Sequence, residues 1–394
     1  MIVARPENRH QARLLRLLRD SGPRSRAELH DTIDLSRAKV TGEIDRLIER
    51  GLVDQAGLAA SRGGRRSSLI RISERARFLG IDIGASSIKV AITDGELNVL
   101  THTRENFDLR TDPEVVIKRA LDLAGKVRAD AGATQLVGAG VGLPGPVSYR
   151  DGRPVAPPLM PGWDGYPVRD VFSTEFGCPV LIENGVNTMA LGEKHAGIAK
   201  SFDDFLFIKI GTGISAGIIL GGDIYRGTTG SAGDIGHMRI EDGGPTCVCG
   251  NTGCLEAFFG GTALARDALA AARSGQSASL ARRLAEVGTL TAADVATATS
   301  EGDPVAIELV RDGAHRLGQV LVGLVSFFNP GLVVIGGGFA RIGPTLLPEI
   351  RSVVYRRSAP LATTNMPIVL SEMGDLAGVV GAARLISDHV FSAG

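Results

Sequence analysis

Apolar and polar positions follow a helical period in the first fifty residues. Leucines recur within "RHQARLLRLLRDSG", with arginines on the other face, which predicts a first amphipathic helix. Ser25 and Glu28 have the spacing of a capping box, which predicts that a second, short helix begins there. A third helix is predicted from Ser36 to Gly51, and its apolar stripe is Val40, Ile44, Leu47 and Ile48.

The segment after the third helix predicts a β-hairpin. Two β-prone stretches flank "SRGGRR", where glycines between arginines suit a hairpin tip that approaches phosphate groups. Three helices and such a hairpin are typical of a winged helix-turn-helix, whose later helix enters the major groove of DNA. The candidate DNA contacts are Ser36, Arg37, Lys39 and Thr41 on the helix and Arg62, Arg65 and Arg66 on the wing.

Charge indicates an anionic partner for this first part of the chain only. Residues 1–76 contain 16 Lys and Arg against 10 Asp and Glu, whereas the whole chain has a formal net charge of zero. A basic segment joined to a mildly acidic remainder favours nucleic-acid binding by that segment. A small helical interaction domain with a solvated basic face is the alternative interpretation.

From Phe78 onward the pattern changes to Gly-rich strands and helices. "FLGIDIGASSIKVAITDG" predicts a strand, a Gly/Ser turn and a second strand, and "FLFIKIGTGISAGIILGG" repeats this frame from Phe205. Both turns expose backbone N–H groups that glycine leaves uncrowded, which suits phosphate oxygens. Near the end, "PVAIELVRDGAHRLGQVLVGLVSFFNP" predicts a long helix and "GDLAGVVGAARLISD" a closing one. The pattern therefore predicts two related α/β halves.

Length and composition are those of an ordinary soluble protein. The chain has 394 residues, 44% of them hydrophobic and 22% charged, which is enough for two or three domains. It contains no run of 18 apolar residues, and its first residues lack the pattern of a secretory signal. We therefore expect a cytoplasmic protein that does not associate with membranes.

Three of the four cysteines lie within "CVCGNTGC", ten residues after a histidine. In a cytoplasmic chain such a cluster favours a metal over disulfides, and its glycines permit a tight knuckle. Three thiolates and one imidazole form a closed tetrahedral set for Zn²⁺, with no position left for a catalytic water. The predicted ligands of this structural zinc are His237, Cys247, Cys249 and Cys254.

These motifs, taken together, resemble the sugar kinase/actin/hsp70 superfamily and, within it, the ROK family of repressors and sugar kinases. The resemblance implies an α/β protein with an N-terminal winged helix-turn-helix and a two-lobed actin-like, ATPase-type fold carrying a zinc knuckle. It implies domains at 1–76, 77–198 and 199–373, with the C-terminal helix at 374–394 packing on the first lobe. The positions that match the family's phosphate and adenosine motifs are Asp82, Gly84, Ser86, Gly211, Thr212, Gly213, Gly336 and Gly337.

The resemblance also assigns a sugar site, and the chain departs from the family pattern there. ROK kinases read E-N-D-A-N where this chain reads "ENGVN", so the position of the catalytic aspartate is occupied by Gly185. A general base contributes about 10²–10⁴-fold to rate, so its absence predicts a body that binds sugar without phosphorylating it. The implied sugar contacts are Asn184, Asp234, which replaces a glutamate, His237 and Glu256.

Three functions remain open at the level of sequence. The first is a sugar-responsive regulator, a repressor of carbohydrate uptake or catabolism genes, that binds operator DNA as a homodimer or homotetramer. The second is an active sugar kinase with a DNA-binding head. The third is a DNA-binding protein whose ROK body is only a dimerisation scaffold. The sequence leaves open whether ATP binds and whether the effector is a sugar or a sugar phosphate.

Overall fold

The computed structural model describes residues 5–58, 67–158, 160–340 and 342–393. The chain divides into two compact units. Unit 1 takes in the described residues of Met1–Val155, Gly162–His195 and Gly378–Gly394, and unit 2 those of Ala156–Pro161 and Ala196–Ala377.

The N-terminal head consists of three helices and a small three-stranded sheet. Ser25 caps the second helix in a complete capping box with Glu28, as predicted. Ser36 caps the third helix, its Oγ accepting a hydrogen bond from the N–H of Lys39 at 3.4 Å. The two long strands form an antiparallel hairpin, as expected for a wing. The elements are α1 Arg9–Ser21, β1 Arg24–Ser25, α2 Arg26–Thr32, α3 Arg37–Glu49, β2 Val53–Leu58 and β3 Ser68–Ile72.

The α/β part of unit 1 is built on a five-stranded sheet. Its order is β10-β7-β4-β5-β6, in which the pairs formed by β7 are parallel and those formed by β5 are antiparallel. The carboxyl ends of β4, β7 and β10 therefore lie at one edge, where α/β sheets bind ligands. The elements are β4 Phe78–Ile83, β5 Ser87–Thr93, β6 Val99–Asn106, α4 Pro113–Asp130, β7 Gly138–Leu143, β8 Val147–Ser148, β9 Arg153–Pro154, α5 Val168–Phe176, β10 Val180–Asn184 and α6 Gly185–Ala196.

Unit 2 repeats the strand pattern of unit 1. Its sheet has the order β13-β12-β11-β14-β15, with antiparallel pairs around β12 and parallel pairs around β14. The same order and directions in both units agree with the duplicated frame in the sequence. The elements are β11 Phe205–Ile210, β12 Ile214–Leu220, β13 Asp223–Ile224, a 3₁₀ helix Ile235–His237, α7 Leu255–Phe259, α8 Gly261–Arg273, α9 Ala278–Val287, α10 Ala292–Ser300, α11 Pro304–Phe328, β14 Leu332–Gly336, α12 Leu346–Arg357, α13 Pro360–Thr363 and β15 Ile368–Leu370.

The last helix, α14 (Leu376–Val390), packs within unit 1. Its glycines allow backbone-to-backbone approach: a Cβ at Gly381 would overlap the carbonyl oxygen of Thr188 on α6.

The predicted domain boundary between residues 76 and 77 lies inside unit 1. The chain passes from unit 1 to unit 2 between residues 195 and 196, close to the boundary predicted between residues 198 and 199.

The prediction that the arginines of α1 lie opposite its leucines is wrong for Arg19. Arg19 is only 2% exposed and lies on the same face of α1 as the buried Leu15 and Leu18. Position 19 follows Leu15 by four residues, so one helical turn brings both to the same side.

Among the described residues, no helix has both the length and the apolar character needed to cross a bilayer.

Candidate metal centre and ligand site

A loop between the 3₁₀ helix and α7 brings four metal-ligating side chains together. The ligand atoms of His237, Cys247, Cys249 and Cys254 all lie within 4.8 Å of one another. The Sγ atoms of Cys249 and Cys254 are 3.8 Å apart, which is too far for a disulfide and compatible with two thiolates each about 2.3 Å from one zinc ion. Burial raises the pKa of the Cys247 thiol, so a bound cation is what would favour its thiolate form. The set fits a closed tetrahedral site.

Backbone hydrogen bonds and glycines shape this loop. The N–H of Cys247 donates to the carbonyl oxygen of Asn251 at 2.7 Å, and the N–H of Gly250 donates to that of Cys247 at 2.9 Å. Gly250 and Gly253 have φ angles of +88° and +79°, a region that favours glycine. A Cβ at Gly253 would also lie 2.8 Å from the carbonyl oxygen of Gly243. The backbone itself therefore positions the ligands.

Glu256 connects the metal loop to the second glycine turn. It lies on α7, and its Oε2 accepts a hydrogen bond from the N–H of Ile214 at 3.0 Å. A Cβ at Gly213 would overlap this carboxylate, with Cδ of Glu256 at 2.9 Å. Burial raises the pKa of Glu256; the Ile214 N–H and His237 oppose this shift, and Asp234 adds to it. Two other predicted sugar contacts, His237 and Asp234, thus lie close enough to Glu256 in unit 2 to influence its pKa.

The fourth predicted sugar contact, Asn184, lies in unit 1 at the end of β10. Its Oδ1 accepts a hydrogen bond from the N–H of Val186 at 3.1 Å, at the start of α6. The neighbouring Glu183 is buried, and its Oε1 accepts from the N–H of Asn184 at 2.8 Å and from Nδ2 of Asn187 at 3.0 Å. Glu183 therefore holds the strand-to-helix junction, and its carboxylate is already engaged by these two hydrogen bonds.

Position 185 has room for a Cβ atom, although the sequence has glycine there. Gly185, the first residue of α6, lacks the positive φ that would require glycine. A Cβ there would meet the carbonyl oxygen of Leu143 at 3.4 Å and Oδ1 of Asp82 at 3.7 Å, which are ordinary contacts. The absence of a carboxylate at this position is therefore not imposed by the backbone.

The first glycine turn is held by its own hydrogen bonds. Asp82 accepts a hydrogen bond from Nζ of Lys89 at 3.2 Å, and both side chains are largely buried. The N–H of Gly84 donates to the carbonyl oxygen of Ser87 at 2.8 Å, while Ser86 is exposed in the turn. The Ser86 hydroxyl is exposed to solvent, whereas the Asp82 carboxylate is already paired with Lys89. Neither observation tests phosphate binding, so the phosphate role of this turn stays a prediction.

The second glycine turn is anchored to α8. The N–H of Gly211 donates to the carbonyl oxygen of Gly213 at 2.9 Å, and the carbonyl oxygen of Gly211 accepts from the N–H of Gly261 at 2.8 Å. Thr212, between them, is half-buried. These bonds fix the turn in the position from which the N–H of Ile214 reaches Glu256.

Packing accounts for both glycines of the adenosine-like motif. A Cβ at Gly336 would lie 2.8 Å from Cε2 of Phe207. Gly337 has a φ of +94°, and a Cβ there would lie 3.0 Å from the backbone N of Ile210. Close packing on β11 requires small residues here, so nucleotide binding at Gly336 and Gly337 stays a prediction.

The predicted DNA contacts on α3 form an exposed surface. Four of these side chains are exposed: Ser36, Arg37, Lys39 and Thr41. On the opposite side of the same helix, Val40, Ile44 and Leu47 are buried in the head and Ile48 is half-buried. The wing arginines lie outside the described residues. These are Arg62, Arg65 and Arg66.

Sequence reasoning missed Glu43, which fixes the orientation of α3. This residue is 3% exposed, and its Oε2 accepts hydrogen bonds from Nε2 of Gln11 at 2.9 Å and from Nδ2 of Asn8 at 3.3 Å. Glu43 follows the buried Val40 by three residues, and this helical spacing is the signal that could have placed it on the inner face.

A model described as the ROK family matches residues 78–389, well over half of the chain. The chain belongs to the ROK family. Among its ROK relatives, the xylose repressor of Caldicellulosiruptor bescii is 31% identical over 381 residues, which cover 95% of this chain and 94% of that protein.

Solved ROK structures include both regulators and kinases. A ROK family transcriptional regulator, described as a homologue of the E. coli MLC protein, has a TM-score of 0.80 at 27% identity and covers 97% of this chain and 96% of its own. A ROK family glucokinase from Streptomyces griseus, in complex with glucose and AMPPNP, has a TM-score of 0.70 at 28% identity. It covers 78% of this chain and 98% of its own. The regulator therefore matches nearly the whole chain, and the kinase a smaller share.

Proposed function

We propose that this ROK protein is a sugar-responsive, DNA-binding transcriptional regulator that binds its sugar without phosphorylating it. The proposal rests on the combination of a winged helix-turn-helix head with a ROK body in which Gly185 stands where the kinases of the family have their catalytic aspartate. The regulator relatives named above support a role as a repressor of carbohydrate uptake or catabolism genes. A regulator needs a ligand that is released unchanged, because turnover would remove the signal.

The site around Gly185 supports binding without turnover. Asp82 pairs with Lys89, and Glu183 accepts hydrogen bonds at the start of α6, so these two carboxylates are already engaged. Without a positioned base, a kinase loses about 10²–10⁴-fold in rate. The polar groups proposed to bind sugar are still present. They are Asn184, Asp234, His237 and Glu256.

The metal loop supports the proposal of one structural zinc ion for each chain. The ligands would be His237, Cys247, Cys249 and Cys254, all contributed by unit 2. When bound, the ion supplies a fixed cross-link between the loop and the start of α7. It would thereby hold Glu256, two residues after the last ligand, toward the sugar.

The DNA partner is proposed to be a palindromic operator read by a two-fold homo-oligomer. Helix α3 would enter the major groove with its exposed N-terminal residues, and the wing would reach the adjacent backbone. Closed two-fold symmetry is the commonest arrangement of soluble homo-oligomers and suits two half-sites.

The test is a titration of labelled DNA from upstream of the protein's own gene, at physiological salt, with and without a panel of sugars. D-xylose, D-glucose, N-acetylglucosamine and their 6-phosphates or 5-phosphates form the panel, with product analysis after incubation with ATP and Mg²⁺. The proposal expects one sugar to shift DNA affinity and to be recovered unchanged. DNA binding that no sugar alters would favour the scaffold function instead.

An active sugar kinase with a DNA-binding head is the second candidate function. It is favoured by one observation, the likeness of the body to a glucokinase in complex with glucose and AMPPNP. Phosphorylated sugar at many turnovers per protein chain would support this function and contradict the regulator proposal as stated.

A further inference from the structure

Helix α1 of the head is docked on the terminal helix α14 through a buried guanidinium. Arg19, 2% exposed, donates to Oδ1 of Asp388 at 2.7 Å and to Oγ of Ser387 at 3.2 Å. Beside this pair, the rings of Phe78 and Phe391 meet edge to face with centroids 5.7 Å apart. A buried guanidinium is strongly unfavourable without its partners, so these contacts fix α1 on α14.

His195, at the other end of α6 from Asn184, joins the same interface. Its Nδ1 lies 3.2 Å from Nη1 of Arg384, and its Nε2 lies 3.3 Å from the carbonyl oxygen of Glu96. A neutral imidazole satisfies both contacts when Nδ1 accepts from the guanidinium and Nε2–H donates to the carbonyl. Arg384 also reaches Asp20 on α1 at 3.3 Å and Asp388 at 2.9 Å.

Helices α6 and α14 are in direct backbone contact between these points. A Cβ at Gly381 would overlap the carbonyl oxygen of Thr188 and lie 2.7 Å from the backbone N of Gly192. Gly378, earlier on α14, is packed so that a Cβ would lie 2.7 Å from the carboxylate of Asp82. With no side chains between them, the two helices have little room to move independently.

We infer that α6 and α14 couple the sugar site to the DNA-binding head, and that a cluster of ionic side chains at their junction with α1 is the coupling contact. This inference rests on the proposed function, because it needs a sugar at Asn184. The cluster, called the head–body cluster below, consists of Arg19, Asp20, His195, Arg384 and Asp388.

The ion pairs of the head–body cluster are the contacts through which a movement of α6 and α14 would reach α1. Two guanidinium groups face two carboxylates around a histidine, and Asp20 on the head is contacted by both Arg19 and Arg384. A sugar that shifts the first turn of α6 displaces His195 and Arg384 together, and Asp20 follows. Such coupling requires that the sugar bind differently in the two arrangements of the helices.

Arg384→Gln is the test variant, because it removes the contacts to His195 and Asp388 on the body and to Asp20 on the head without touching the sugar or DNA surfaces. Asp20→Asn is a second variant on the head side, where a side chain 40% exposed makes misfolding less of a risk. Arg119→Gln is the control, since it breaks an ion pair with Glu105 that joins α4 to β6 in unit 1 and is outside the head–body cluster.

The measurement is the ratio of DNA dissociation constants with and without a saturating sugar, with D-xylose as the first probe. In coupled systems this ratio is about 5–150. We expect it to fall to about 1–2 in both test variants and to stay at the wild-type value in Arg119→Gln, with the sugar dissociation constant unchanged in all three. A wild-type ratio in folded Arg384→Gln and Asp20→Asn would overturn the inference.

Amide hydrogen exchange separates this failure from failure of the proposed function. In the wild type, α1 and α14 should open together, and in Arg384→Gln the amides of α1 should exchange faster while those of α4 do not change. If no sugar alters DNA affinity in the wild type, the proposed function fails and the coupling role fails with it. If sugar changes DNA affinity by the same factor in the wild type and in both test variants, only the coupling role fails.

Discussion

At position 185 a Cβ would make only ordinary contacts with Leu143 and Asp82, so the backbone tolerates a mutation that introduces a carboxylate. Gly185→Asp should raise sugar-dependent ADP release about 10²-fold or more over the wild type, because general bases contribute about 10²–10⁴-fold. Gly185→Asn, of the same size and without a base, is the control and should stay at the wild-type rate. Equal rates in the two variants, with sugar still bound, would contradict this role for position 185.

A second residue-scale prediction concerns the contact between Gly213 and Glu256. In Gly213→Ala the new methyl overlaps the end of a flexible side chain, so the carboxylate moves off the N–H of Ile214 while the backbone stays in place. Calorimetry should show sugar affinity weakened about tenfold, the value of one hydrogen bond to a charged group. The free energy of unfolding should change by less than about 1 kcal/mol.

Gly125→Ala is the control for this measurement. Gly125 lies on α4, where a Cβ would meet nothing within 4 Å, so alanine should leave sugar affinity unchanged and stabilise the helix by up to about 1 kcal/mol. If Gly213→Ala binds sugar as tightly as Gly125→Ala does, Glu256 is not a sugar contact.

At the scale of elements, the metal loop should depend on each of its four ligands. Purified protein should contain about one zinc ion for each chain, and Cys249→Ser should contain almost none, because tetrahedral structural sites use all four ligands. Cys178→Ser, outside the cluster, should keep its zinc. Metal analysis with thermal unfolding checks both, and a Cys249→Ser protein that retains one zinc at the wild-type Tm would exclude this ligand set.

His195, at the end of α6, should make the free energy of unfolding depend on pH. Burial lowers its pKa to about 4, and Arg384 and Arg19 add to this effect while Asp20 and the Glu96 carbonyl oppose it. Since the unfolded value is about 6.5, the unfolded chain binds more protons between these limits. His195 therefore stabilises the fold fully above pH 6.5, and this contribution, up to about 3 kcal/mol, is lost as the pH falls toward 4.

Urea unfolding at pH 5 and pH 7 measures this dependence. The difference in unfolding free energy between the two pH values should be smaller in His195→Gln than in the wild type. His102→Gln, an exposed histidine on β6, should retain the wild-type difference. The same pH dependence in His195→Gln as in the wild type would mean that this histidine is not held neutral at the interface.

Local patterns predicted the elements well, and contacts distant in sequence explain what they missed. The capping box at Ser25 and the long helix α11 follow from spacing within a few residues, and both are confirmed. The local pattern predicts Arg19 on the polar face, because its partner Asp388 is far away in the sequence. The lack of a carboxylate at position 185 is readable from the sequence, but the room for a Cβ there depends on β4 and β7.

At the scale of the whole molecule, one chain joins a basic head, a ROK body with Gly185 at the proposed base position, and the helices between them. The head shares an apolar cluster with the body, in which Leu18 of α1 and Ile386 of α14 both take part. A DNA-binding module built into the body in this way can respond to a ligand without a flexible tether.

If sugar binding controls DNA binding without turnover, the two affinities must be linked thermodynamically. The measurement is the sugar dissociation constant of the full-length protein, free and saturated with its operator DNA, followed by recovery of the sugar after incubation with ATP and Mg²⁺. We expect DNA to change sugar affinity by the same factor by which sugar changes DNA affinity, and we expect the sugar to be recovered unchanged. Equal sugar affinities with and without DNA, or sugar phosphate formed at many turnovers, would contradict it.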